Sequence, residues 1–348
     1  MMAENKILSL QQVEDLKIDK NNRILYSATH EEVLRGTTTD VYFVKTYEIL
    51  KALNKENTQV VAEIFARKAG VFCGLPEVLS LLKDTDVEVW ALQEGEEFQA
   101  KEVIMRIKGN YGQFGIYETA ILGILASSSG WATAAREVKE VAPDNSVLVF
   151  GARHVHPAVA PVMERSAIIG GVDGASCILG AKLADIEPKG TVPHAVILIV
   201  GDTLGVAKAY DEIMPITESR LFLVDTFKDE VEETLRVAEV LGEKLQGIRL
   251  DTPSERGGVT PALIEEVRAR LDMAGFNHVR IFVSGGLTPE RIKILKEAGA
   301  DAFGVGSYIS GAPAIDMTMD LKEIDGKPIA KRGRIPGITE NIRLVKVI

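Results

Sequence analysis

The sequence predicts an α/β protein with an α+β N-terminal domain, an irregular or incomplete (β/α) barrel behind it, and a C-terminal segment that returns to the front. Three observations predict it. From about residue 145, short apolar runs alternate with helical patterns six times, the mark of a parallel sheet built from right-handed crossovers. Six units and about 180 residues fall short of the eight units and ~200 to 250 residues of a closed barrel. Ahead of them the chain mixes period-two and helical spacing, and from about 312 the rhythm stops. The expected domains are 1–142, 143–311 and 312–348.

Taken in order, residues 40 to 54 carry Val41, Val44 and Ile49 or Leu50 at helical spacing behind an acidic start. Residues 58 to 66 and 87 to 108 alternate as strands, the second stretch split by a Glu-Gly turn. Residues 117 to 142 have helical spacing interrupted by Ser127, Ser128, Ser129 and Gly130, which predicts two helices in tight contact. Barrel strands are expected at 146–151, 194–201, 220–226, 247–252, 279–286 and 301–307. Thr260-Pro261 and Thr288-Pro289 each place a capping hydroxyl before a proline at the first helical position. The basic, turn-rich run DLKEIDGKPIAKRGRIPG then leads back toward the front domain.

Composition narrows the function. The 348 residues are 46% apolar and 26% charged, with no run of 18 or more lacking a charge, so no membrane insertion is expected. A net charge of −10 argues against a nucleic-acid wrapper and leaves room for a local pocket for one small anion. Cys73 and Cys177 are too few for a disulfide framework or a zinc knuckle, which fits a reducing, cytoplasmic home. The acidic first twenty residues carry no apolar leader pattern.

In parallel α/β folds ligands bind beyond the carboxyl ends of the strands. Two strands there end in Ser284-Gly285-Gly286 and Gly304-Val305-Gly306-Ser307. Bare glycines before a helix start offer N–H groups and a positive dipole end to a phosphate monoester, although such glycines can equally serve tight turns. Arg249 and Asp251, two apart on one strand, point the same way. They form a structural ion pair or face a ribose, where the carboxylate would stabilise charge at the anomeric carbon. Phe150 and Arg153 close the first strand as an aromatic plane beside a cation, fit to hold a flat anionic ring. His194 enters the second apolar run and by itself reads as a packed core histidine. His154 and His156 lack the neighbours a metal site needs.

Those segments, with TDVYFVKTYEIL, ETAILGILASSSGWATAAREV, FGAR, GTVPHA, RLDT, VSGGLTPERI and AFGVGS, resemble nicotinate phosphoribosyltransferases of the type II phosphoribosyltransferase group over nearly the whole chain. The resemblance implies transfer of phosphoribose from 5-phosphoribosyl 1-pyrophosphate to nicotinate, for NAD synthesis, in a homodimer or larger assembly with shared active sites. It implies ring stacking by Phe150 and by Tyr42 of a second subunit, a carboxylate-orienting Arg153, a phosphate-binding Arg249 and a ribose-facing Asp251. The 5′-phosphate would rest on Gly285, Gly286, Gly304, Gly306 and Ser307. His194 would carry a phosphate from ATP, a co-substrate, and Mg²⁺ would travel with the pyrophosphate. Asp173 stands where nicotinamide-using relatives keep an amide acceptor, which leaves nicotinamide open. Quinolinate ranks behind both, because the TRKTxPG segment of quinolinate enzymes is GARHVHPAV here. A sugar-phosphate barrel isomerase and a non-catalytic nucleotide sensor would use the same glycine loops.

Overall fold

Antiparallel strands and helices with buried apolar residues build the front of the chain; short, mostly apolar strands alternating with helices build the rest. A computed structural model describes residues 6–348; the first five, part of the stretch read for a leader, lie outside the described residues. Its strands, in chain order, are β1 (Gln59–Ala66), β2 (Gly70–Val71), β3 (Val87–Ala91), β4 (Glu97–Phe98), β5 (Val103–Asn110), β6 (Ser146–Val149), β7 (Gly174–Ala175), β8 (Leu221–Leu223), β9 (Gly247–Leu250), β10 (Arg280–Ser284), β11 (Ala302–Val305), β12 (Met317–Ile324), β13 (Lys327–Pro328) and β14 (Val345–Lys346). The chain divides into two units, one running up to Ala132 and resuming at Pro313–Ile348, the other Thr133–Ala312.

The first unit is α+β. Its six-stranded sheet has the order β13-β12-β1-β5-β3-β14, with β12 antiparallel to β1 and β14 antiparallel to β3, so the C-terminal segment supplies strands to the front sheet. Ile64, Met105 and Ile107 bury one side of the sheet with Phe72, Phe98 and Phe114. Glu63, 1% exposed, is satisfied by Arg106 Nη2 at 2.8 Å and by the Thr339 N–H at 3.0 Å. Residues 118–141 form one helix, Glu118–Val141, where two were expected. Serines weaken a helix without breaking it. Here Ser129 is held in place because its Oγ accepts from the Cys73 N–H at 3.2 Å, and Gly130 leaves room for the Pro313 carbonyl.

The second unit is the α/β, barrel-like one. Its six strands run in the order β7-β6-β11-β10-β9-β8, parallel throughout, and among the described residues no ladder joins β7 to β8. Ile248, Leu250, Ile281, Val283, Phe303 and Val305 are fully buried. Alternation turns Arg249 and Phe282, register partners, to the other face, where Phe282 packs with Leu148, Ala302, Phe150 and Leu221.

One expected strand is absent. Residues 194–200 form the helix His194–Val200, and the short β7 takes the sixth place in the sheet. A six-residue apolar run, 195–200, has no period by which to choose between strand and helix. Helical geometry here buries Ile197 against Val206 and Leu223 and leaves Leu198, Ile199 and Val200 exposed. No helix of the described residues is long and apolar enough to cross a membrane.

Candidate active site

At the carboxyl ends of the parallel strands a cavity of about 350 Å³ opens, entirely within the second unit. Phe150, Arg153, Arg249, Asp251, Gly285, Gly286, Gly304, Gly306 and Ser307 all lie in its wall. Residues from four different strand ends, those of β6, β9, β10 and β11, therefore converge on one space.

The floor is a fixed polar web. Arg249 donates through Nε to Ser284 Oγ at 2.8 Å and through Nη1 to Thr191 Oγ1 at 3.0 Å. Ser284 Oγ in turn donates to Asp251 Oδ1 at 2.7 Å, while Arg249 Nη2 lies 3.7 Å from Asp251 Oδ2. The Arg249 guanidinium also stands 5.0 Å from the Phe150 ring centre and 5.9 Å from that of Phe282. Burial draws the Arg249 guanidinium below its ordinary value, opposed by Asp251 and Asp225. The web pre-aims a cation and a carboxylate at the same point.

Two glycine loops form the rim. Gly285 and Gly286 have φ of 92° and 60°, the left-handed region where a side chain is strained. Among the described residues no backbone acceptor takes their N–H groups, nor that of Gly306. Gly304 serves close approach instead, since a Cβ there would stand 2.5 Å from the Phe150 ring. The sheet thus brings the Cδ2–Cε2 edge of the Phe150 ring against a position where a side chain would clash.

Beside the cavity lies a carboxylate–imidazole cluster. His194 is the first residue of its helix, its Nδ1 2.9 Å from Thr226 Oγ1, and its Nε2 is 3.7 Å from both Asp225 Oδ2 and Asp251 Oδ2. Asp225 has a side chain 1% exposed, and neither of its carboxylate oxygens has a hydrogen-bond partner. Burial pushes its carboxyl above the usual carboxylate range, with His194 pulling the other way. Such an orphaned acid suits a cation or a hydroxyl brought in by a ligand.

Asp173 does not join the site. It sits at the start of β7, where its Oδ2 accepts from Lys139 Nζ and from the Val147 N–H, both at 2.8 Å. That is the amino end of β6, opposite the end where ligands bind, so its role as an amide acceptor falls. Tyr42 is exposed on the helix Val41–Ala52 of the first unit. Sequence reasoning gave no role to Asp225, Ser176, Thr191 or Ser284. The repeated endings Val-Asp-Thr and Leu-Asp-Thr at 224–226 and 250–252 are the signal by which Asp225 could have been paired with Asp251.

Comparison with known proteins fixes the family. Residues 40–129 match the model of the quinolinate phosphoribosyl transferase N-terminal domain, and residues 131–320 that of its C-terminal domain. A solved structure titled nicotinate-nucleotide pyrophosphorylase, from Pyrococcus furiosus, is similar at 45% identity and a TM-score of 0.87, covering 91% of this chain and 82% of that one. A probable nicotinate-nucleotide pyrophosphorylase (carboxylating) of Methanothermobacter thermautotrophicus is 20% identical over 78% of this chain and 92% of its own. A nicotinate phosphoribosyltransferase of Bacillus subtilis is 32% identical over 69% of this chain, which spans about half of that relative's length. The two domain matches and the Pyrococcus structure overturn the resemblance to nicotinate phosphoribosyltransferases, and with it nicotinate as acceptor, ATP as co-substrate, ligase chemistry and a phosphohistidine at His194. The glycine loops and the Arg249–Asp251 pair, which carried much of that resemblance, do not by themselves separate the two kinds of enzyme.

Proposed function

The chain belongs to the quinolinate phosphoribosyl transferase family, and we propose that it transfers the phosphoribosyl group of 5-phosphoribosyl 1-pyrophosphate to quinolinate, releasing pyrophosphate and carbon dioxide and leaving nicotinate mononucleotide. The observation that carries this reading is the single cavity with free glycine amides at one side, Phe150 with Arg153 at another, and Asp251 between. Gly285, Gly286, Gly304, Gly306 and Ser307 receive the 5′-phosphate. Phe150 stacks on the pyridine ring, and Arg153 and His154 face its two carboxylates, a planar guanidinium suiting that partner.

The reaction is displacement at the anomeric carbon. The C–O bond to pyrophosphate breaks as the pyridine nitrogen forms its bond, through an oxocarbenium-like state. Asp251, held by Ser284, faces the ribose and stabilises the developing positive charge; Arg249 balances the negative charge of the phosphates. Alignment of two bound reactants of this kind is worth roughly 7 to 11 kcal/mol. The orphaned oxygens of Asp225, with Asp251 nearby, fit Mg²⁺ arriving with the pyrophosphate; the ion, when bound, neutralises the leaving group. His194 is assigned to that end as an imidazole poised between two acids. Once the ring nitrogen is quaternary, the neighbouring carboxylate departs as carbon dioxide; the electron pair of the broken C–C bond stays on that ring carbon, stabilised by the adjacent positive nitrogen, and takes up a proton from solvent.

Tyr42 from a second copy is proposed to cover the other face of the ring, which would make the assembly a homo-oligomer with shared sites. A cytoplasmic location agrees with two widely separated cysteines. The test offers quinolinate, nicotinate and nicotinamide in turn, each with phosphoribosyl pyrophosphate and Mg²⁺. Pyrophosphate and carbon dioxide are expected in equal amounts from quinolinate, without any effect of ATP. Pyrophosphate release with nicotinate or nicotinamide and none with quinolinate would overturn the reading.

A further inference from the structure

Glu164, in the helix Ala160–Gly170, is fully buried and lies outside the machinery described so far. Its Oε1 accepts from the Ala152 N–H at 3.2 Å and from Ser176 Oγ at 3.1 Å, and its Oε2 accepts from the Cys177 N–H at 2.6 Å. These donors come from two places only, the segment after β6 and the segment after β7. Ala152 and Ser176 both line the cavity, and Arg153 follows Ala152 directly. The helix Ile178–Leu183 packs closely on the same side chain, for a Cβ at Gly180 would stand 3.1 Å from Glu164 Cβ.

A buried carboxylate is costly unless hydrogen bonds satisfy it. Burial pushes the Glu164 carboxyl above the usual range, and the donors from Cys177, Ser176 and Ala152 pull it back. The ladder between β6 and β7 ends with the Ser176 N–H donating to the Val149 carbonyl at 3.3 Å; beyond that bond the carboxylate ties the two segments, joining Ala152 on one side to Ser176 and Cys177 on the other. We infer that Glu164 is a positioning residue, fixing the loops after β6 and β7 so that Arg153 and Ser176 face one pyridine acid. The inference rests on the placement of that acid under Proposed function.

Glu164→Gln keeps the size but turns an NH₂ toward at least one N–H or O–H donor. The KM for quinolinate is expected to rise about tenfold or more, part of the roughly hundredfold that a 1 Å misplacement can cost, while the KM for phosphoribosyl pyrophosphate stays within about twofold. Glu164→Asp, which retains the charge, should recover part of the loss. Amide hydrogen exchange is expected to quicken at Ala152 and Cys177 and to stay unchanged at Gly285 and Gly286. Should Glu164→Gln fail to fold, Ser176→Ala removes one anchor and gives the same split on a smaller scale. An unchanged KM for quinolinate, or equal rises in both KM values, overturns the inference. If the unsubstituted protein turns over no pyridine acid, the functional reading fails by itself; exchange at Ala152 and Cys177 then decides the tie, and unaltered rates there dismiss it.

Discussion

Gly304→Ala tests whether the Phe150 ring is the seat of the pyridine. The new Cβ would lie 2.5 Å and 2.7 Å from Cε2 and Cδ2 of Phe150 and 3.0 Å from Cε1 of Phe282. Ordinary contact begins near 3.4 Å. The backbone of β11 is paired on both sides, with β10 and β6, so the ring rather than the strand must retreat, by roughly 1 Å, and displacement of that size can cost about a hundredfold in rate. Forcing the extra methyl into this layer costs about 1 to 3 kcal/mol of stability. Steady-state kinetics should give kcat/KM for quinolinate lowered by roughly 10- to 100-fold, with thermal denaturation a few degrees earlier. Phe150→Leu added to Gly304→Ala relieves the crowding and should return the stability without returning catalysis. An alanine variant with undiminished kcat/KM would refute the placement of the acid on Phe150.

Arg249→Lys keeps the charge and gives up the fork that joins Ser284 to Thr191; loss of one such bond, about 1.5 to 3 kcal/mol, predicts a fall in kcat/KM of roughly 10- to 100-fold, measured against both substrates. Asp251→Asn should lower kcat far more than it changes either KM, and equal changes would remove it from the ribose. In the first unit, burial reinforced by Asp320 pushes the Glu118 carboxyl up to about 7. The folded chain therefore holds a proton that the unfolded chain has released above its ordinary 4.5, so this group's contribution falls as pH rises from about 4.5 to 7. Glu118→Gln should match the unsubstituted protein at pH 4 and exceed it at pH 8 by about 1 to 3 kcal/mol in urea denaturation, the lower figure allowing for partial exposure. The same gain at both pH values would reject burial as the cause.

Residues that act through backbone shape were legible in the sequence. The Gly285–Gly286 and Gly304–Gly306 loops end strands whose apolar runs are unmistakable, and the spacing of Arg249 and Asp251 alone puts both on one face. The parallel sheet followed from the same runs. His194 was misplaced on a strand because a valine and isoleucine run with exposed residues in it satisfies either backbone. Asp173 was misassigned because two residues of β7 decide which end of the sheet it occupies, and a Gly-Ala pair carries no strand signal. Asp225 gained meaning only when folding set it beside His194 and Asp251, contacts made across crossovers. The choice of acceptor stayed hidden for a different reason: the legible motifs are the glycine loops and the Arg249–Asp251 pair, and quinolinate, nicotinate and nicotinamide would all be offered the same phosphoribosyl donor.

An unclosed ring of strands has two margins whose amides and carbonyls could template a foreign strand. Here those margins are Gly174–Ala175 and Leu221–Leu223, two and three residues long, with Gly174, Ala175, Phe222 and Leu223 all buried. A segment so brief gives an intruder too few rungs to hold. The protein can leave its ring open without inviting the edge-to-edge growth that ends in aggregates.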